Sequence, residues 1–233
     1  MFRKSTLFYV EKNMQLEKLA EKIISGYVLT KDEALELYKA PIDVLKESAS
    51  KITKHFFKDD LELCCISNGK CGKCSEDCKF CAQSRFYNTQ IETSPLKTVE
   101  EFVAEAKESF EKHIHRYSIV TAGVRLSKAE IDVIAKAFKK IKEEVGIACC
   151  GSLGLLDFND FVKLKESGMA RYHCNIETSP NYFKSICTTH SMEDKDATIK
   201  AAKKAGLQIC SGCIIGMGES VEDRVDIALH LRD

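Results

Sequence analysis

Apolar positions recurring at three- and four-residue spacing through residues 15–56 predict a helical N-terminal stretch. Thr30-Lys-Asp-Glu33 forms a capping box that opens a helix over Ala34–Tyr38, and Pro41 suits the start of the next helix through Lys54. The period then changes. Leu61–Ser67 reads as a first strand that runs directly into a cysteine-rich loop, and helices and short apolar runs alternate from there. Thr98-Val-Glu-Glu101 caps a helix to Lys112, and Arg116–Thr121 is the second strand. Ser127-Lys-Ala-Glu130 caps a helix to Glu144, before a third strand at Val145–Cys150. Phe158–Ser167, closed by Gly168, is helical, and Ala170–Ile176 is the fourth strand. A helix over Met192–Ala205 ends at Gly206; Leu207–Ile215 is the fifth strand and Ser220–Arg232 the final helix.

Five strands alternating with helices predict an α/β fold with a parallel sheet of βα units, part of a TIM-type barrel rather than a doubly wound sheet. The expected organisation is an N-terminal tail and helical cap over residues 1–56, then a single partial-barrel body over 57–233, with no linker between them. A closed barrel of this kind has six to eight strands, so the chain is expected to be a fragment, with weak or no turnover by itself.

Composition narrows the classes of function. The 233 residues balance 35 basic against 35 acidic side chains, so no global field draws the chain to nucleic acid or anionic lipid. Lysine-rich faces such as Lys136–Lys140 are solvated sides of amphipathic helices. No apolar run reaches membrane-spanning length, and Met1–Asn13 lacks a sufficient apolar core and cleavage site for a secretion signal; the expected location is cytoplasmic. Twelve cysteines in that compartment point to metal rather than disulfides, and to a cell with little oxygen. The histidines show no protease or triad spacing and read as surface residues.

The chemistry concentrates in Cys71-Gly-Lys-Cys74-Ser-Glu-Asp-Cys78-Lys-Phe-Cys81-Ala-Gln-Ser84. Pairs joined by only three residues fit a zinc ribbon poorly, because its two knuckles stand on either side of a long loop. Thiolates crowded at this spacing suit an iron–sulfur cube. Cys74, Cys78 and Cys81, spaced x3 then x2, would leave one iron open for a substrate or cofactor. Cys-x3-Cys-x2-Cys with Phe80 before its last cysteine resembles the signature of the radical S-adenosylmethionine (SAM) superfamily, in which the open iron chelates the methionyl amine and carboxylate. Cys71 is read as a spare thiol; as a fourth ligand it would instead make the protein an electron carrier.

Polar residues also gather where strands end, which is where barrel chemistry collects. Asn175 and Glu177 are two apart and point to one side, giving a carboxylate and an amide suited to a ribose diol. Gly212, Gly216 and Gly218 permit close backbone approach to a flat ligand, with Ile214 as an apolar slot for adenine.

Arg116–Thr121, Cys150-Gly-Ser-Leu-Gly154, Asn175-Ile-Glu-Thr-Ser-Pro180, Thr188-Thr189 and Cys210–Glu219 follow in the order found in the biotin synthases. Together with Asp77–Cys81, these segments resemble that family over about residues 60–233. The resemblance implies a radical SAM sulfurtransferase that converts dethiobiotin to biotin with a 5′-deoxyadenosyl radical, the last step of biotin biosynthesis. It implies a 4Fe-4S cube on Cys74, Cys78 and Cys81, SAM, and an auxiliary cluster, 2Fe-2S or a variant, that donates sulfur. By position, Asn175 and Glu177 would hold the ribose and Thr121, Ala122 and Gly123 would receive the methionyl amine; the Phe80 backbone and Ile214 side chain would flank adenine. The auxiliary ligands would include Cys150 and Cys210, but Ser118 stands where a third thiolate is expected, as in a variant found among anaerobes. Cys187 is the first replacement to consider, with Cys174 and Cys213 behind it. A flavodoxin or ferredoxin-type reductant and a homodimer are implied too. The rival enzyme is another auxiliary-cluster radical SAM protein, such as a hydrogenase-cofactor maturase relative.

Overall fold

The computed structural model describes residues 15–233. Residues 1–13 of the sequence, read above as a tail, lie outside the described residues. Contacts divide the described residues into two compact units, one of residues 62–219 with 230–233, the other of residues 15–61 with 220–229.

The larger unit is a five-stranded parallel sheet in the order β1-β2-β3-β4-β5. Its strands are β1 (Cys64–Lys70), β2 (Arg116–Thr121), β3 (Ala148–Ser152), β4 (Met169–His173) and β5 (Gln208–Cys210). An order that never reverses is the barrel type of winding, with every crossover on the same side; a doubly wound sheet would reverse in the middle. The core therefore lies on one face. There Tyr117, Ile119, Cys149, Met169 and Tyr172 of the strands are buried with Phe102, Ile134, Phe138, Ile141, Phe161 and Leu164 of the helices. Those helices are Val99–Glu111, Lys128–Glu144 and Phe158–Glu166, each opened by the capping box its sequence encodes. Met192–Lys204 is a fourth, again boxed by Ser191 and Asp194.

The alternate strand residues turn away from these helices onto an inner face. They are Cys64, Ile66 and Asn68 on β1, Arg116, Ser118 and Val120 on β2, Cys150 and Ser152 on β3, Arg171 and His173 on β4, and Gln208 and Cys210 on β5. The period of two thus separates a packing face from a chemical face.

Four strands sit differently from the hydrophobic pattern, the fourth ending at His173 and not at Ile176. The first begins at Cys64, not Leu61, because the chain there is held by His115: the Leu63 N–H donates to His115 Nδ1 at 2.9 Å and the Leu63 carbonyl accepts from His115 and Arg116. Val145 is the C-cap of its helix, and Gly146 takes φ 79°, which delays the third strand to Ala148. The fifth keeps only three ladder residues before its glycines redirect the backbone; a single bridge joins Glu177 to Cys213 beyond it. A short helix, Phe183–Ile186, was not evident from the apolar period.

The smaller unit holds helical residues 15–24, helices Lys31–Leu37 and Ile42–Phe57, and residues 221–229 of the helix Val221–Arg232. Thr30 and Glu33 form the expected capping box, and Pro41 precedes Ile42 as N-cap. Lys31 pairs with Asp226 at 2.6 Å, and Arg224 Nη1 donates to the Tyr38 hydroxyl at 2.7 Å. Among the described residues no helix is long and apolar enough to cross a membrane.

Candidate functional site

The cysteine loop follows β1, and its own backbone holds it in shape. Cys74 N–H donates to Gln83 O (2.9 Å), Arg85 N–H to Cys74 O (3.0 Å) and Cys81 N–H to Cys78 O (3.0 Å). The buried Ser84 hydroxyl donates to Glu76 O at 2.6 Å. From outside, the segment after Phe183–Ile186 pins the loop through Asp77. Its carboxylate accepts from Thr188 N–H (2.8 Å), Thr188 Oγ1 (2.5 Å), Thr189 N–H (3.2 Å) and Thr189 Oγ1 (3.1 Å). Those donors hold its carboxyl far below the ordinary carboxylate range.

Cys74, Cys78, Cys81 and Phe80 line one cavity of about 300 Å³. Its other walls include Thr121, Ala122 and Gly123 after β2, Gly154 and Leu155 after β3, and His173, Asn175 and Glu177 at the end of β4. Nine of the predicted cofactor and cluster residues thus meet around one space: Cys74, Cys78, Phe80, Cys81, Thr121, Ala122, Gly123, Asn175 and Glu177. Cys71 does not line it; its main chain is bridged to Ser94 in both directions, at 3.2 and 3.1 Å. Ile214 is tied to the site by its backbone, its N–H donating to Glu177 O at 2.8 Å, but its side chain is not part of the cavity wall.

Glu177 is the most unusual member. Its φ is 68°, a left-handed conformation rare for a branchless carboxylate residue, and Gly212 accepts the N–H bonds that fix the strand end before it. Burial pushes its carboxyl up, with the Lys195 charge opposing. Lys195, itself buried, stands 3.9 Å from Glu177 Oε1, while Glu177 Oε2 is buried without a partner. Thr121 Oγ1 is a second buried, unpartnered polar atom on the same cavity. Buried polar groups are normally paired, so two orphans on one cavity wall mark where a polar ligand would complete the structure. A carboxylate oxygen free to accept two hydroxyl hydrogens fits a ribose, and three thiols outside any disulfide, converging on one cavity, fit a cluster.

A second group of thiols lies on the inner face, Cys150 buried and Cys64 and Cys210 exposed. Cys150 is in register with Ser118 and with Arg171, Cys64 with Arg116, and Cys210 with His173. Burial raises the Cys64 thiol, followed by the charges of Cys65 and Cys210; burial raises Cys150, followed by Cys64, with Arg116 and Arg171 opposing. Cys64 is thus within electrostatic reach of both Cys150 and Cys210. Glu62 Oε1 is 2.6 Å from Arg116 Nε, and Glu62 Oε2 accepts from Arg171 Nη1 at 2.8 Å, so both guanidiniums are held at this end of the sheet.

Three expectations change. Cys187 lies against the cysteine loop, with Sγ 3.6 Å from Cys78 Sγ, and not with Cys150 and Cys210; the helix Phe183–Ile186 carries it to the rim. Ser118 sits in register with Cys150, and Cys64, on the same face of the neighbouring strand, is a further thiol there that the sequence motifs do not pick out. The strand's period of two, which puts Cys64 with Ile66 and Asn68 opposite Cys65, was the signal for it. Finally, His173 and His190 are not surface residues: both line the cavity, and burial lowers His173.

A family model described as the radical SAM superfamily matches residues 70–231. A biotin synthase of Brachyspira hyodysenteriae is 46% identical over 224 residues, covering 96% of this chain and 67% of the relative. One of Clostridium botulinum is 45% identical over 218 residues (94% and 69%), and biotin synthase 2 of Corynebacterium diphtheriae is 44% identical over 219 (94% and 66%). The chain thus spans about two thirds of the length of the curated relatives it matches. Among solved structures, methylornithine synthase superposes with a TM-score of 0.78 at 21% identity, covering 91% of this chain and 64% of that one. The FeFe-hydrogenase maturase of Carboxydothermus hydrogenoformans gives 0.76 at 18% identity, over 98% and 56%. At those identities the structures share the fold alone, whereas the sequence relatives separate the biotin synthases from the maturase alternative.

Proposed function

The chain belongs to the radical SAM superfamily and, within it, to the biotin synthases, and from that premise we propose how its own residues divide the conversion of dethiobiotin to biotin. The observation that carries the reading is the meeting of Cys74, Cys78 and Cys81 with the unpartnered Glu177 carboxylate and Thr121 hydroxyl around one cavity.

Cys74, Cys78 and Cys81 would hold three irons of a 4Fe-4S cube, leaving the fourth to the methionyl end of SAM. When bound, that pair supplies a one-electron cleavage that opens unactivated C–H bonds to attack. Asn175 and Glu177 hold the ribose, with Lys195 fixing the backbone of Asn175 by a 3.0 Å hydrogen bond to its carbonyl. Thr121, Ala122 and Gly123 receive the methionyl amine, and Phe80 flanks adenine, with Ile214 beside the site through its backbone bond to Glu177. So reactive a species requires a site that excludes water and holds the reacting carbon close.

Cys150 and Cys210, joined by Cys64, hold the auxiliary cluster that donates sulfur, and Arg116 and Arg171 offset its negative charge. Ser118 packs beside that cluster as a neighbour of Cys150. A flavodoxin or ferredoxin-type reductant supplies the electron, and the working unit is a homodimer in the cytoplasm.

The test is anaerobic reconstitution with iron and sulfide, followed by a strong reductant and SAM. Release of 5′-deoxyadenosine that depends on dethiobiotin is the expected result; release unaffected by dethiobiotin would reject the substrate.

A further inference from the structure

Cys187 and His190 take no part in the division of roles above, yet they sit against one of its cysteines. Cys187 Sγ lies 3.6 Å from Cys78 Sγ, and one ligand atom each from Cys78, Cys187 and His190 lie within 4.8 Å of one another. Among the described residues this is the one trio of histidine, cysteine and carboxylate side chains so converged. Cys187 is buried, and the His190 side chain is only 9% exposed.

The spacing decides what such a trio can hold. Two sulfurs bound at about 2.3 Å to one tetrahedral ion lie about 3.8 Å apart, and a sulfur and an imidazole nitrogen on that ion about 3.6 Å. The Cys78–Cys187 separation of 3.6 Å matches the first, and His190 Nε2, 3.9 Å from Cys187 Sγ, lies within about 0.3 Å of the second. Thiolates on different irons of a cube stand farther apart than ligands on a single ion, so Cys78 and Cys187 are not spaced as two corners of the cluster. The second sphere fits as well: Glu76 Oε2 is 2.8 Å from His190 Nδ1, the carboxylate–histidine arrangement that leaves Nε2 free for a metal.

We propose that the cluster-free chain binds a single soft tetrahedral ion, zinc above all, through Cys78, Cys187 and His190, with water completing the fourth position. Binding displaces the thiol protons of Cys78 and Cys187 to solvent, so affinity rises with pH. Because Cys78 is also a cube ligand in the reading above, the ion and the cube exclude one another; only this competition rests on that reading. Zinc would act as a block on cluster assembly that iron loading must first displace.

The experiment uses the anaerobically purified, cluster-free chain. One equivalent of Co²⁺ should give the thiolate charge-transfer and intense visible bands of a tetrahedral site, and Zn²⁺ should displace it. C187S and, separately, H190Q should weaken Zn²⁺ binding by at least about tenfold, with circular dichroism unchanged, while C74S leaves it as it was. A smaller effect of C187S, or an equal effect of C74S, overturns the site. In the competition arm, one equivalent of Zn²⁺ should prevent cube reconstitution in the native chain but not in C187S; reconstitution unaffected by zinc in the native chain overturns the block. A native chain that builds no cube even without zinc would instead count against the cluster reading, and the Co²⁺ result, obtained without iron, separates the two.

Discussion

Lys195 Nζ stands 3.9 Å from Glu177 Oε1 and donates its 3.0 Å hydrogen bond to the Asn175 carbonyl instead. The ammonium is near enough to oppose the burial that raises the Glu177 carboxyl, yet it leaves Oε2 unpartnered. A site built this way favours its ligand over its own stability.

That arrangement gives the first prediction, E177Q. The folded pKa lies above the unfolded reference of 4.5, so the contribution of this group is most favourable below pH 4.5 and is lost as the pH rises through the folded value. At neutral pH the buried carboxylate therefore costs stability, and E177Q should raise the melting temperature at pH 7 while leaving it nearly unchanged at pH 4. The same substitution removes a charged acceptor for the ribose and should weaken SAM binding to the reconstituted chain by about tenfold or more. Thermal denaturation and equilibrium binding check the two halves; a lower melting temperature at pH 7 contradicts the first.

Asp77 works in the opposite sense. Its carboxyl is depressed by the Thr188 side chain and backbone, so its contribution is present above the unfolded reference of 3.8 and is lost as the pH falls below it. D77N should lower the melting temperature at pH 6 by about 2–4 °C, since a half-exposed clamp is screened to about 1 kcal/mol. The difference from the native chain should shrink steadily as the pH falls below 3.8. Because the clamp fixes the loop carrying Cys78, D77N should also hold less iron after reconstitution. Melting curves between pH 3 and 6, with iron analysis, test both.

How far the sequence carries can be seen residue by residue. Capping boxes at Thr98 and Ser127 predict their helices closely, because a cap is a local hydrogen bond between neighbours. The short β5 was not legible, since its ladder stops where β4 stops pairing with it at His173, a long-range feature of the sheet. The cluster loop and the Asn175–Glu177 pair announce themselves by spacing. For Cys64 the period of two gives only the face; its relation to Cys150 and Cys210 comes from the β1–β2–β3 register and the long-range order of the sheet. Cys187 misleads for the same reason, its softness being readable and its address not.

The third prediction follows from Cys64. C64S should remove the auxiliary cluster and leave the iron held by Cys74, Cys78 and Cys81, about four per chain for a cube. S118A should change iron content little, since Ser118 neighbours Cys150 without supplying the thiolate. Iron and sulfide analysis after identical reconstitution distinguishes them; equal loss in S118A would restore the serine as a ligand and displace Cys64.

Cys71 supplies the last. Three residues before Cys74, it is the one thiol in the loop that could turn the radical reading into an electron carrier by closing the fourth iron. Its backbone argues otherwise: bonded to Ser94 in both directions, it belongs to a bridge that leads away from the cavity, whereas Cys74 is bonded to Gln83 and Arg85 within the loop. Gly72, at φ 81°, turns the chain between them, and the Cys71 side chain is absent from the cavity wall that Cys74, Cys78 and Cys81 share. C71A should therefore keep its full four irons at that site, and the electron paramagnetic resonance signal of its reduced cluster should shift on adding SAM as in the native chain. In C74A, by contrast, cluster and response should be lost together. Loss of the cube in C71A, or a native signal that excess SAM leaves unmoved, would mean that a fourth thiolate fills the vacant corner and that this chain carries electrons instead of cleaving SAM.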